Sequence, residues 1–183
     1  MAQFVIPDPI RAECYRGLPR IFQFTNWDGT FTPYNCGQAA AATYLTFHGL
    51  LPSLEDQAGL VMSRIEAAHP PDIVGGWFGS SRRRVKRICR AGGLPVEEIV
   101  GETGLRDQIN SNRAALVMFE VPGPKLFKRW TVPTGHWVVA YGFDDENIYL
   151  TNWGKMTWDL FRQGWNALVP RLIGMRNRCL AAV

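Results

Sequence analysis

The run Gly135-His136-Trp137-Val138-Val139-Ala140-Tyr141-Gly142 opens on a histidine, stays apolar, and ends against a polar cluster, Asp144-Asp145-Glu146-Asn147. Its length and its β-branched and aromatic content predict a buried strand. Asn147-Ile148-Tyr149-Leu150-Thr151-Asn152 reads as the returning strand, so 136–143 and 147–152 are expected to form a hairpin. Upstream, Ala114-Ala115-Leu116-Val117-Met118-Phe119-Glu120-Val121 is a second continuous apolar run, as expected of a buried strand. Further strands are expected near the C-terminus.

The first half of the chain has a different period. In Tyr34-Asn35-Cys36-Gly37-Gln38 and the four alanines that follow, then Tyr44, Leu45 and Phe47 before Gly49, the sequence predicts a helix that begins at Cys36. Asn35 is the expected N-cap, which places Cys36 in the first turn. Free peptide N–H groups and the helix dipole there favour an anion, so the expectation is a thiol of lowered pKa. A second helix is predicted over 53–68, with Leu54, Ala58, Val61, Met62 and Ile65 on one face and Ser53 with Asp56 as a weak capping box. A third spans Ser80 to Ala91 and stops at Gly92-Gly93, and a short fourth covers 103–112. Helices first and an antiparallel sheet second make an α+β domain. The expected organisation is one domain over 1–183: an irregular leader (1–20), a mainly helical lobe (21–112) and a mainly sheet lobe (113–183).

At 183 residues the chain suits one well-buried core. No apolar run approaches the ~20 residues that span a bilayer, so no membrane partner is expected. The N-terminus, Met1-Ala2-Gln3-Phe4-Val5-Ile6-Pro7, lacks a basic head and an apolar core. That predicts a cytoplasmic protein, or one secreted without a cleaved signal peptide. The net charge is +4, and its densest basic stretch is Arg82-Arg83-Arg84-Val85-Lys86-Arg87 with Arg90. Val85, Ile88 and Cys89 recur at helical spacing, which predicts an inward apolar stripe and a solvated basic face. No aromatics interleave with the arginines to stack bases, so no nucleic-acid partner is expected. Cys14, Cys36, Cys89 and Cys179 form no CxxC and share no metal-ligand spacing with a histidine, so neither metal nor cofactor is expected. If Cys36 is free, the other three cannot all pair, and reduced thiols are the simplest account.

Cys36, His136 and Asn152 each stand at an element boundary, where a backbone can aim a side chain. A bare thiol has a pKa of about 8.5 and is a poor nucleophile at neutral pH. An imidazole that takes its proton activates it and later protonates the leaving group. A third polar group on the far imidazole nitrogen fixes the ring's tautomer and orientation. The three residues suit those roles in that order. Trp153, beside Asn152, is expected to shield the His–Asn bond from water.

Asn35-Cys36-Gly37, Gly135-His136-Trp137-Val138-Val139 with Tyr141-Gly142, and Leu150-Thr151-Asn152-Trp153-Gly154 resemble the three motifs of the papain-like cysteine peptidase superfamily. Spacing and brevity are most similar to its bacterial branch of double-glycine leader peptidases and their stand-alone relatives. The resemblance runs in order over about 21–165. It implies a helical lobe bearing the nucleophile, a sheet lobe bearing His and Asn, and a cleft between them. It also implies a Gln upstream of the Cys as an oxyanion donor, a role worth roughly 3 kcal/mol to the transition state. Gln23 is the candidate, with Asn26 as a nearer alternative; Gln23 lies farther upstream of Cys36 than the family's usual spacing. Gln38, two residues into the helix, is expected to point away from the nucleophile.

The function expected is hydrolysis of a peptide or amide bond through a thioester acyl-enzyme, on a peptide or protein substrate. Two alternatives share the fold. One is a glutamine deamidase or transglutaminase-type toxin or effector, for which a cognate inhibitor or immunity protein is a possible partner. The other is an inactive papain-fold binding module.

Overall fold

The alanine run after Cys36 gives a helix slim enough to lie close on a sheet, and the computed structural model places it there. The structure describes residues 35–51, 58–73, 79–111, 113–121, 125–126, 130–131, 134–151 and 153–183. The first helix, α1 (Cys36–Phe47), is buried from Cys36 through Leu45, as a helix without a polar face must be. The second, α2 (Ala58–Ala68), packs on α1 through Met62. The expected capping pair Ser53 and Asp56 lies outside the described residues.

The basic stretch forms α3 (Arg82–Ala91), capped by Ser81, whose hydroxyl accepts from the Arg84 N–H. Val85, Ile88 and Cys89 are its buried stripe, as their spacing predicted. Part of its charge is matched by the strand that follows, β1 (Val96–Val100): Arg82 pairs with Glu98 at 2.7 Å and Lys86 with Glu97 at 3.1 Å. That strand was not anticipated. It interrupts the otherwise helical first half and leads directly into α4 (Gly101–Asn110).

The second half supplies β2 (Ala115–Val121), a two-stranded ribbon of β3 (Lys125–Leu126) and β4 (Trp130–Thr131), β5 (Thr134–Phe143), β6 (Asn147–Leu150) and β7 (Gly154–Thr157). Two helices then intervene, α5 (Trp158–Trp165) and α6 (Leu168–Leu172), before β8 (Arg178–Ala182). Where strands were expected near the C-terminus, the chain thus alternates strand and helix. The main sheet has the order β1-β8-β2-β5-β6-β7 with every neighbour antiparallel. The predicted hairpin is β5–β6, and Asp144 builds its turn by accepting from the Glu146 and Asn147 N–H groups, the Asn147 amide and the Tyr149 hydroxyl.

Helices cover both faces of the sheet, and residue parity sorts the strands between them. Leu116, Met118, Trp137, Val139, Tyr141 and Leu180 face α1 and α3. Val117, Phe119, Val138, Ala140, Cys179 and Ala181 face α4 and α5. The register shifts between Ala140 and Gly142, and this irregularity adjusts the pleat at the end of β5. On the α5 side Trp158, Phe161 and Trp165 stack in series, with ring centroids 5.9 and 5.0 Å apart. Among the described residues no helix is long and apolar enough to cross a membrane.

Candidate active site

Cys36 is the first residue of α1, and the helix N-terminus meets the beginning of β5. The Cys36 thiol donates to the Gly135 carbonyl at 4.0 Å, although the two are 99 residues apart in sequence. The sulfur therefore lies against the peptide that leads into His136. Only 4% of Cys36 is exposed. Gly135 packs closely: a Cβ there would meet the Met118 side-chain tip and Val169 Cγ1.

The electrostatics differ from those the sequence suggested. Burial pushes the Cys36 thiol above its ordinary value, and the backbone N–H groups of Trp137, Gly37 and Cys36 itself pull it down by less. The helix start acts in the expected direction, but loss of water outweighs it. Asn35 departs from expectation too. It makes no side-chain cap; its carbonyl accepts from the Ala39 N–H, and its amide donates instead to Glu66 of α2. The side-chain oxygen that a cap would use is buried without a partner among the described residues, while the amide nitrogen is held by the neighbouring helix.

His136 occupies the face of β5 opposite the one that meets α1. It stands across from Phe119 in the register of β2 and β5, and its ring lies 6.0 Å from that of Phe119. Trp153 covers it from the next connection, with centroids 5.5 Å apart, and is itself 45% exposed. This apolar setting pushes the imidazole down to about 4, so it is neutral at pH 7. The sulfur's hydrogen bond goes to Gly135 rather than to the imidazole. Both groups rest uncharged, on either side of one short stretch of strand.

Asn152, Gln23 and Asn26 lie outside the described residues. Gln38 is fully buried and its amide is satisfied at both ends: Nε2 donates to the His69 carbonyl at 2.8 Å, and Oε1 accepts from the Ser80 hydroxyl at 2.9 Å. Ser80 in turn accepts at its carbonyl from the Trp137 indole N–H, at 2.8 Å. Ser80 and the indole of Trp137 carried no signal of a role in sequence. A glutamine inside a run of buried alanines was the available clue. His48 is set apart at the end of α1, where it packs on Tyr44 and Phe47. Among the described residues no cluster of three His, Cys, Asp or Glu gathers that would hold a metal ion, and Cys36, Cys89 and Cys179 are free thiols.

No protein-family model and no curated protein matches the chain. Solved structures do. A protein described as a C39-like peptidase from Bacillus anthracis superposes with a TM-score of 0.57 at 11% identity, over 82% of this chain and 89% of that one. A double-glycine-motif protease from an AMS/PCAT transporter, solved with its leader peptide, gives 0.44 at 14% identity over 82% and 86%. The fold is α+β and papain-like, of the C39 peptidase type, with a helical N-terminal part on an antiparallel sheet.

Proposed function

We propose that the chain is a papain-like cysteine peptidase in which Cys36 is the nucleophile, His136 the proton carrier and Asn152 the group that orients the imidazole. The observation that carries the reading is the seating of the Cys36 sulfur, at a helix start, against the backbone that flanks His136. The peptidase-type fold supports it. Gln23, or Asn26 in its place, completes the proposal as the amide that donates to the oxyanion.

Because the resting thiol and imidazole are both neutral, the chemistry begins as general-base-assisted attack. The His136 ring first turns from the Phe119 side of the strand toward the sulfur; the Cys36 S–H bond then breaks as sulfur bonds to the scissile carbonyl carbon, the proton passes to His136, and the carbonyl π pair moves onto oxygen. The neutral imidazole is in the form that can accept that proton. Collapse of the tetrahedral adduct breaks the C–N bond, and His136 returns its proton to the departing amine. Water then adds to the thioester with His136 again as base, which releases the acid and restores the thiol. Incoming substrate supplies the oxyanion charge that makes an imidazolium worth forming in so apolar a setting.

Incubating a peptide library with the wild-type protein and with Cys36→Ala, and reading termini by mass spectrometry, tests this. New termini made only by the wild type are expected. A gain of about one dalton at glutamine without cleavage would replace hydrolysis by deamidation, and no Cys36-dependent change of either kind would refute the reading.

A further inference from the structure

We infer that Gln38, Ser80 and Trp137 form a positioning strut that fixes the Cys36 sulfur against the His136 segment of β5. The inference rests on the peptidase reading for its functional meaning, though its geometry stands alone.

Three consecutive residues of α1 face the same small region. Cys36 bonds to Gly135, beside His136. Gly37 leaves room for Ser80, since a Cβ on it would stand 2.6 Å from Ser80 Cβ and 3.0 Å from its hydroxyl oxygen. Gln38 accepts from that same hydroxyl. Trp137, two residues from Gly135, closes the loop from the strand side by donating its indole N–H to the Ser80 carbonyl. Gln38 and Ser80 are wholly buried and Trp137 is 2% exposed, so water cannot replace a lost partner. The segment that carries Ser80 is itself clipped: Asp72 accepts from the Ser81 N–H and hydroxyl, while the Asp72 and Ile73 N–H groups donate to the Gly79 carbonyl. His69 and Ser80 are thereby each tied to the cysteine helix, and Ser80 also to the histidine strand. Nothing in secondary structure demands this bridge, because α1 already packs on β5 through Tyr44 and its alanines. Its particular effect is to set the first turn of the helix relative to residues 135–137.

The test uses iodoacetamide on the full chain and reads adducts at Cys36, Cys89 and Cys179 by peptide mass spectrometry. The latter two, both 0% exposed, report general loosening. Ser80→Ala keeps the Ser80 carbon frame and removes the hydroxyl; Trp137→Phe removes the indole N–H. Each is expected to raise the Cys36 alkylation rate at least tenfold at pH 8 with the other two thiols within twofold of wild type. Gln38→Glu adds a signature that general destabilisation lacks. A protonated carboxyl can still donate to His69 and accept from Ser80, so its Cys36 rate should match wild type at acid pH and exceed it once the carboxyl ionises. A Cys36 rate within twofold of wild type in Ser80→Ala, or a rise shared equally by all three thiols, overturns the strut. Should Trp137→Phe fail to fold, the Ser80 and Gln38 variants still decide the matter. The peptidase reading fails on a different result, hydrolysis that survives Cys36→Ala.

Discussion

Replacing Gly37 with alanine sets local propensity against tertiary packing, and the two predict opposite signs. Alanine is better than glycine in a helix interior by about 1 kcal/mol, so propensity alone predicts a gain. The structure predicts a loss. The new methyl would lie 2.6 Å from Ser80 Cβ and 3.2 Å from Val85 Cγ2. Ser80 Cβ is no flexible tip: it is one bond from a backbone held by Trp137. Forcing a methyl into such a site costs roughly 1–3 kcal/mol. Pushing Ser80 aside also breaks its bond to Gln38, for about 1 kcal/mol more. The net expectation is a loss of about 2 kcal/mol. For a chain of this size that lowers the melting temperature by about 4–8 °C. Urea unfolding followed by tryptophan fluorescence should show a lower midpoint at unchanged slope. A Gly37→Ala protein as stable as wild type, or more so, would refute the close approach of Ser80 and the strut built on it.

Acid should destabilise the protein through His136. Its folded pKa, near 4, lies below the ordinary 6.5. The unfolded chain therefore binds the extra proton first, and stability falls as pH drops from 6.5 to 4 by up to roughly 3 kcal/mol. His136→Gln should flatten that slope in urea titrations, and an unchanged slope would contradict the burial of the ring. In the isolated protein, Cys36 alkylation should keep climbing with pH past the usual thiol value of about 8.5, whereas a plateau below pH 7 would mean a preformed thiolate. Tyr44 is buried and its hydroxyl accepts from the Ala182 N–H at 2.8 Å, so Tyr44→Phe should cost about 1 kcal/mol and speed amide exchange at Ala182.

The parts of the fold that were legible in sequence are those governed by local period. The alanine-rich helix, the stripe Val85, Ile88 and Cys89, and the β5–β6 hairpin all follow from spacing that one element imposes on itself. Val96–Val100 was missed because it is a five-residue edge strand carrying two glutamates, which meet α3 rather than reveal a pleat. Trp158, Phe161 and Trp165 do recur at helical spacing, so α5 was readable, although only strands were expected there. The raised Cys36 thiol was not readable at all. A helix start is a local fact, whereas the burial that overrides it comes from β5, a hundred residues on. The same holds for Asn35, whose partner Glu66 lies on another helix. Cys36 and His136 were singled out because the sequence puts each at the start of a periodic run; Ser80 and Trp137 were not, because their link is a contact between distant segments.

The most direct measurement is the rate at which benzyloxycarbonyl-Gly-Gly chloromethyl ketone, a peptide mimic with no side chain to be excluded, labels Cys36 in wild type and in His136→Ala. The account predicts one adduct, mapped to Cys36, that forms at least a hundredfold more slowly when the imidazole is gone. Equal rates in the two proteins, or an adduct on another residue, would contradict it.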